Sequence, residues 1–431
     1  MLQRFLCLAL LLLLAGCAVN PVTGRNELAL MSISPQEEIE IGRKTFPEVL
    51  QQMGGEYPDA ALETYVNQVG TRMGKISHRP ELPYQFRVVN DSTPNAFALP
   101  GGYIAISRGL LVGLQNEAQL ASVLGHEIGH VTARHSVQGM QRASMLNLGV
   151  AVLGAAADTT GYGGLARPAG DLAANLINNT YSREQESESD RLGIDYMVKV
   201  GYDPLGSVQV QEYFYRKVEN GANPDWLSGL FRSHPFSRDR MVANQQYVQT
   251  SYSYALENPR YVLAVDPFQR ATAHLRQVEP GYQLYVQAQQ QERKGDLNGA
   301  IATYLQAAAQ APDETLILTG LGMAYLKAED IGSARRHLSR AVQLHDQYYL
   351  PQLGLGYAYQ QQSLPQKAIP HLERSMELYP TAQGAFLLAE GYEQTGRKKD
   401  ALKLYQSVAQ ADPGGKLGQA AAKRIAGMQG Q

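Results

Sequence analysis

The chain has little with which to cross-link itself and no long apolar run. Only two cysteines, Cys7 and Cys17, stand among 431 residues. Cys7 falls in the apolar run from Phe5 to Leu14. That run is far short of the roughly 20 residues that span a bilayer, so it reads as a secretory signal over residues 1–16. With the signal removed, Cys17 is the one remaining thiol and no intrachain disulfide can form. Net charge is also nearly absent: 38 basic residues face 40 acidic ones, giving −2. No basic stretch could follow a phosphate backbone, which excludes a nucleic-acid partner. The stretch Met145 to Ala157 is apolar but short and rich in Gly and Ala. It is expected to form a buried or lid helix beside the site, followed by a loop over Thr159 to Gly170.

Histidine is scarce too, with nine in the chain, yet two of them stand in His126-Glu127-Ile128-Gly129-His130. The spacing predicts one helix from about Asn116 to Gln138. Residues four apart on a helix share a face, with Cβ atoms about 5–6 Å apart. Two imidazoles so placed can reach one ion at a Zn–N distance of about 2.0–2.1 Å. Glu127, beside the first ligand, can then act as general base toward water. Leu120, Leu124, Ile128 and Val131 form a separate apolar stripe, so the motif is expected on an amphipathic helix. Gly125 and Gly129 are poor helix formers in a helix interior, and they suggest close approach of another backbone or of substrate. His135 would lie five residues past His130 on the same helix, about 500° around, and reads as structural or supporting.

A catalytic zinc usually takes a third protein ligand. Ser182 with Gln185 makes a capping box, and Gly201 followed by Pro204 ends the helix that starts there. Periodicity separates the glutamates on it. Glu184 and Glu188 share a face with Arg191, Asp195 and Lys199, which reads as solvated surface. Glu186 and Asp190 continue the inward stripe of Ile194, Met197 and Val198. A carboxylate on a core face needs a partner. Glu186 is therefore the expected third ligand, with Asp190 placed to accept the other ring N–H of a ligating histidine.

These residues resemble the gluzincin metallopeptidases of the HtpX/CAAX-prenyl-protease type, whose third ligand opens a Glu-x-x-Ala-Asp motif. Ser189 stands here where Ala is usual. The resemblance runs along most of residues 18–250, through Asn20-Pro21-Val22-Thr23-Gly24-Arg25, Asn95 to Gly102, Gly109-Leu110-Leu111, and Ser233-His234-Pro235 with Arg240. It implies one Zn2+ per chain on His126, His130 and Glu186, with Glu127, Asp190 and His234 in the catalytic apparatus. In the family a histidine in the His234 position lies near the metal. It is either a fourth ligand that holds the enzyme latent or a donor to the oxyanion; the plain alternative is a loop histidine capping a turn. Arg240 would brace this loop or bind substrate carbonyls. The family's small sheet has an edge along the cleft, so Asn95, Ala96, Phe97 and Ala98 would align an added substrate strand. Tyr84 to Asn90 and Tyr103 to Ser107 are the clearest strands.

The end of the signal, Leu14-Ala15-Gly16-Cys17, resembles a bacterial lipobox. It implies lipidation of Cys17 and, with Ala18 following, a periplasmic protein on the inner leaflet of the outer membrane. In the C-terminal third Ala300, Ala334, Ala368 and Ala401 recur at intervals of 34, 34 and 33 residues. Tyr304, Leu338, Leu372 and Tyr405 follow each by four. Pro312, Pro380 and Pro413 close three of the units. This period matches tetratricopeptide repeats, about four of them, with Leu417 to Met428 as a closing helix.

The expected architecture is thus α+β. A mostly helical zincin-type peptidase domain with a small sheet occupies residues 17–260, and an all-α tetratricopeptide solenoid occupies 281–431. Pro259, Pro267 and Pro280 should interrupt the structure between them. The expected function is that of a zinc-dependent endopeptidase. By resemblance its substrates are unfolded or misassembled outer-membrane proteins, and its repeats dock an outer-membrane assembly machine. The rival reading is a chaperone or assembly scaffold whose zinc site is mostly silent.

Overall fold

The computed structural model describes residues 33–147, 180–219 and 234–429, with short pieces at 17–19, 22, 24 and 26–28. The signal, most of the stretch Met145 to Ala157, and the loop Thr159 to Gly170 lie outside the described residues. Two short strands, β1 (Cys17–Val19) and β2 (Asn26–Leu28), pair antiparallel. Helices α1 (Pro35–Gln52) and α2 (Ala60–Gly74) follow, the first opened by a capping box between Ser34 and Glu37.

A three-stranded sheet comes next: β3 (Gln85–Val89), β4 (Ala96–Leu99) and β5 (Tyr103–Ser107), in the order β3-β5-β4. β5 is central and buried along its length, parallel to β3 and antiparallel to β4. The Asn95 to Gly102 segment therefore holds a strand of its own, and that strand is an edge of the sheet. A short helix α3 (Arg108–Gly113) leads to α4 (Glu117–Thr132), which carries the His-x-x-x-His pair.

Two expectations about this helix are corrected. It is not amphipathic, because 14 of its residues are buried and it runs through the core. It also stops at Thr132, and a separate helix α5 (His135–Asn147) begins after two intervening residues. The break is made by Arg134, which adopts φ +58°. A non-glycine residue in that region is uncommon and has to be held there. The hold is electrostatic: Arg134 Nε lies 2.7 Å from Glu38 Oε1, and Arg79 Nη1 lies 2.7 Å from Glu38 Oε2. Glu38 is only 1% exposed, a buried anion between two guanidiniums.

Helix α6 (Arg183–Lys199) carries Glu186 and Asp190, and α7 (Leu205–Glu219) and α8 (Arg238–Ser251) complete this region. The Ser182–Gln185 capping box forms as expected, and Gly201 takes φ +90° just past the helix end. Helices α4 and α6 touch through their smallest residues. A Cβ on Gly129 would sit 2.9 Å from the Ser189 backbone, and one on Gly193 would sit 2.7 Å from His126 N. The glycines of the motif helix thus serve approach of another backbone.

Beyond the short helix α9 (Val265–Ala271), α10 (Ala273–Arg293) runs straight through Pro280. The expected break at Pro280 does not occur. Leu275, Val278, Tyr282 and Tyr285 are buried along this helix, and their packing outweighs a penalty of about 3 kcal/mol for an interior proline. Four pairs of antiparallel helices follow in series: α10 with α11 (Leu297–Gln310), α12 (Thr315–Lys327) with α13 (Ile331–Leu344), α14 (Tyr349–Gln361) with α15 (Pro365–Leu378), and α16 (Ala382–Gln394) with α17 (Lys398–Ala411). Helix α18 (Lys416–Gln429) closes the stack. Ala300, Ala334, Ala368 and Ala401 are all fully buried, as their period requires.

The solenoid is fastened to the first part of the chain through Arg108, which is completely buried. Its guanidinium carbon sits 3.3 Å from the centroid of the Tyr282 ring, and Nη1 lies 3.0 Å from Glu279. The Tyr282 hydroxyl meets Asn90 Oδ1 at 2.9 Å and Glu314 Oε2 at 2.5 Å. Further along, Gln51 donates to Gln347 O and accepts from Tyr349 N.

Replacing Glu38 with Gln removes the one anion that Arg79 and Arg134 share, leaving Arg79 with Glu81 at 3.5 Å and Arg134 with the Ile33 carbonyl. The expected cost is about 3 kcal/mol of unfolding free energy, measured as a fall in the denaturation midpoint. A loss below about 0.5 kcal/mol would remove the triad as the anchor of Arg134.

Candidate metal centre

The sequence places histidines 126 and 130 one turn apart on α4, and the glycine contacts let α6 lie close enough for Glu186 to join them. His234 enters from the loop before α8. Each of the four residues His126, His130, Glu186 and His234 offers one ligand atom, and these atoms lie within 4.8 Å of one another. His126 Nε2 is 3.0 Å from His130 Nε2 and 3.3 Å from His234 Nδ1. Glu186 Oε1 is 3.0 Å from His234 Nδ1 and 3.3 Å from His130 Nε2. Tetrahedral bonds of about 2.0–2.1 Å put neighbouring ligand atoms roughly 3.3 Å apart. The observed spacings fit that figure.

The hydrogen bonds behind the ligands make the same case chemically. Asp190 Oδ1 lies 2.9 Å from His126 Nδ1, so that nitrogen carries the proton and Nε2 presents a lone pair. Two lone pairs and a carboxylate converging at 3 Å repel one another unless a cation lies among them. The donor set, three imidazole nitrogens and one carboxylate oxygen, suits a divalent metal ion.

Arg240 braces this arrangement and is itself 7% exposed. Its Nε and Nη2 each donate to Asp190 at 2.9 Å, and Nη1 donates to Pro235 O at 2.9 Å. Nη1 also contacts Glu186 Oε2. It thus ties the His234-Pro235 loop to α6, leaving its guanidinium engaged rather than open to substrate. Burial alone would raise the Asp190 carboxyl, but Arg240 and His126 outweigh it and hold that group below its ordinary 3.8.

Glu127 is buried at 1% exposure, and Oε2 makes no hydrogen bond among the described residues. Burial pushes its carboxyl above the usual range, with His234 and His126 opposing. Glu127 Oε1 faces His234 Nε2 at 3.6 Å, so the His234 ring stands between the metal cluster and this carboxylate. A narrow cleft opens beside them, lined by His126, Glu127 and His234 together with Leu110, Val123, Val210, Phe214 and Phe236.

The segment from Asn95 to Ala98 lies deeper than an open edge would. Asn95 is 7% exposed, and Ala96, Phe97 and Ala98 are 4% or less. Ser107 N donates to Asn95 O, so Asn95 and Phe97 turn their main-chain groups to β5, while Ala96 and Ala98 turn theirs to the free side. The Ala98 carbonyl on that side accepts from Ser136 Oγ at 3.3 Å.

Several residues of the site escaped the sequence reading. Tyr181 stacks on His130 at 3.9 Å between centroids, and its hydroxyl meets Ser136 Oγ at 3.0 Å. Tyr181 directly precedes the Ser182 cap, and that position was its only signal. Glu188, read as solvated surface, instead pairs with His135 Nε2 at 3.0 Å and keeps only 18% of its side chain exposed. The misreading follows from treating His135 as a continuation of α4.

A depressed carboxyl stabilises the fold above its ordinary pKa and loses that contribution as pH falls through the depressed one. Arg240→Gln relaxes the depression at Asp190. Acid unfolding of the metal-free chain, followed by circular dichroism in chelator, is expected to move up by roughly one pH unit. An unmoved midpoint would mean that Arg240 contributes nothing to the ionised state.

Residues 60–248 match Peptidase family M48, and residues 285–349 and 353–416 match a tetratricopeptide repeat family. A Vibrio cholerae protein is 30% identical over 196 residues, which is 44% of this chain but only 39% of that protein. The beta-barrel assembly-enhancing protease of Escherichia coli K12 is 27% identical over 418 residues, 86% of this chain and 84% of that one. The mitochondrial metalloendopeptidase OMA1 of Schizosaccharomyces pombe is 29% identical over 190 residues, 43% of this chain and 53% of its own length. Among solved structures, the crystal structure of MamA aligns over 33% of this chain and 92% of its own, at 24% identity and a TM-score of 0.28. The chain thus joins an M48 peptidase domain to tetratricopeptide repeats.

Proposed function

We propose that this protein is a zinc endopeptidase of the bacterial envelope, acting on outer-membrane proteins that fail to assemble and held latent by His234. The observation that carries the latency is the place of the His234 ring, with Nδ1 3.0 Å from Glu186 Oε1 and 3.3 Å from His126 Nε2. Zinc would be held by His126, His130 and Glu186, with His234 in the fourth position. A bound zinc ion supplies Lewis-acid polarisation of the scissile carbonyl and of the attacking water.

The protein's own groups do the rest. Glu127 takes the proton of the attacking water on its carboxylate and returns it to the leaving amine. The apolar wall of the cleft (Val123, Val210, Phe214, Phe236) favours an apolar substrate side chain next to the cut. An extended substrate would add by main-chain hydrogen bonds along the free side of β4, at Ala96 and Ala98, once the Ser136 hydroxyl releases the Ala98 carbonyl; such bonds demand little of the substrate's sequence. Such a mode suits β-rich clients, in keeping with the name of the Escherichia coli relative. The repeats would recruit these clients or an outer-membrane assembly complex. Lipidation of Cys17 would hold the protein at the inner leaflet of the outer membrane. No helix among the described residues is long and apolar enough to cross a membrane.

The closed state also supports a second reading, an assembly scaffold whose metal site stays silent. Cleavage of an unfolded model protein in the presence of zinc separates the two. Glu127→Gln is expected to lose at least about 100-fold in kcat/KM, and His234→Ala to cut several-fold faster than wild type. If His234→Ala is as slow as Glu127→Gln, the histidine serves the oxyanion and latency is wrong. If Glu127→Gln restores assembly in cells as well as wild type does, the scaffold reading prevails.

A further inference from the structure

His130 has no carboxylate of its own behind it. Asp190 supports His126 directly, and Arg240 takes up both oxygens of Asp190. Behind His130 stands a second imidazole: His130 Nδ1 is 2.9 Å from His135 Nδ1. On its far side His135 Nε2 is 3.0 Å from Glu188 Oε2. His135 is fully buried, whereas the Glu188 side chain is 18% exposed. The row therefore runs from the metal cluster to the protein surface through two rings.

Tautomer logic fixes the direction of every proton in that row. With His130 Nε2 facing the other ligands, the proton of the neutral ring sits on Nδ1 and is donated to His135. His135 Nδ1 must then be an acceptor. A doubly protonated His135 would set two N–H groups against each other at 2.9 Å. So His135 is neutral, with its single proton on Nε2, donated to Glu188. His135 Nδ1 has one lone pair, so Ser189 Oγ, 3.3 Å away, can share it only as the weaker arm of a bifurcated bond. This hydroxyl is present because Ser stands where the resembling family has Ala.

We propose that His135 and Glu188, with Ser189 beside them, form a relay that positions His130: it locks the tautomer with Nε2 free for the metal and fixes the orientation of the ring through an intervening imidazole. The inference rests on the reading of His130 as a ligand. Direct carboxylate–histidine–metal arrangements are common, and loss of the outer partner typically costs 10–100-fold in metal affinity. Here the carboxylate acts one ring further away. The left-handed Arg134 makes the arrangement possible, because without it His135 would continue α4 and face away from His130. Tyr181, stacked on the same ring, restrains its plane but does not select its tautomer.

The test is zinc affinity of the full chain, measured by competition with a chromophoric chelator, so that the readout does not depend on turnover. His135→Phe keeps the volume but removes the acceptor, and affinity should fall about 10–100-fold. His135→Asn restores an acceptor near the Nδ1 position, and it should recover most of that loss. Glu188→Gln, at the exposed end, should weaken binding by a smaller factor of about 3–10 with metal-free thermal unfolding unchanged. The proposal fails if His135→Phe binds zinc within about twofold of wild type, or if His135→Asn is as weak as His135→Phe, since the ring would then matter only for packing. Should His135→Phe not fold, an unchanged affinity in Glu188→Gln overturns the relay by itself. A wild-type chain that binds no zinc overturns the ligand reading of His130 and the relay with it.

Discussion

The contact between α4 and α6 is the constraint on which the site depends. The two helices approach through Gly125, Gly129 and Gly193, where an added Cβ would fall within about 3 Å of the opposing backbone, with Ser189 facing Gly129. Only at that separation can one carboxylate from α6 reach between two histidines of α4. The helix propensity given up at these glycines, near 1 kcal/mol each, is the cost of bringing the ligands together. Ser189 is small enough to keep the contact and adds a hydroxyl within it.

Once the helices touch, the charges have to be balanced, since few waters can reach them. Glu186 and Asp190 are 0% and 6% exposed, and each finds cations or imidazole donors within about 3 Å. Arg240 joins both carboxylates to the backbone of the His234 loop. That loop therefore does not swing freely. Any movement of His234 away from the metal cluster has to leave or stretch the Pro235 bond to Arg240.

The same use of a buried cation recurs where the solenoid meets the peptidase domain. Arg108 lies against the Tyr282 face, and Tyr282 reaches both Asn90 and Glu314. Asn90 begins the connection that leads into β4, and Arg108 follows directly on β5. The repeats are thus fastened to one end of the sheet, where the parallel strands β3 and β5 finish side by side. They are also buried deeply enough there to be part of one structure with it rather than an appendage on a linker.

Periodicity carried most of what the sequence could tell. The 34-residue spacing of small residues foretold the repeats, and i, i+4 spacing foretold the histidine pair. The inward stripe singled out Glu186 and Asp190 from their neighbours. Each of these is a property of one element, fixed by 3.6 residues per turn. The signal failed where the chain changed direction or where distant segments met. Arg134 gave no hint of its left-handed turn, because what holds it is Glu38, 96 residues away. With that turn unseen, His135 was placed on the wrong helix and Glu188 on the wrong side of the protein. Tyr181 and Ser136 were invisible for the same reason. Sequence by itself determined the class of the chain, its metal chemistry and its repeats, since local spacing encodes those. Only the tertiary structure decided what stands behind His130, how Arg240 braces the His234 loop and how the solenoid is fastened, because each of those rests on groups that meet from far apart in the chain.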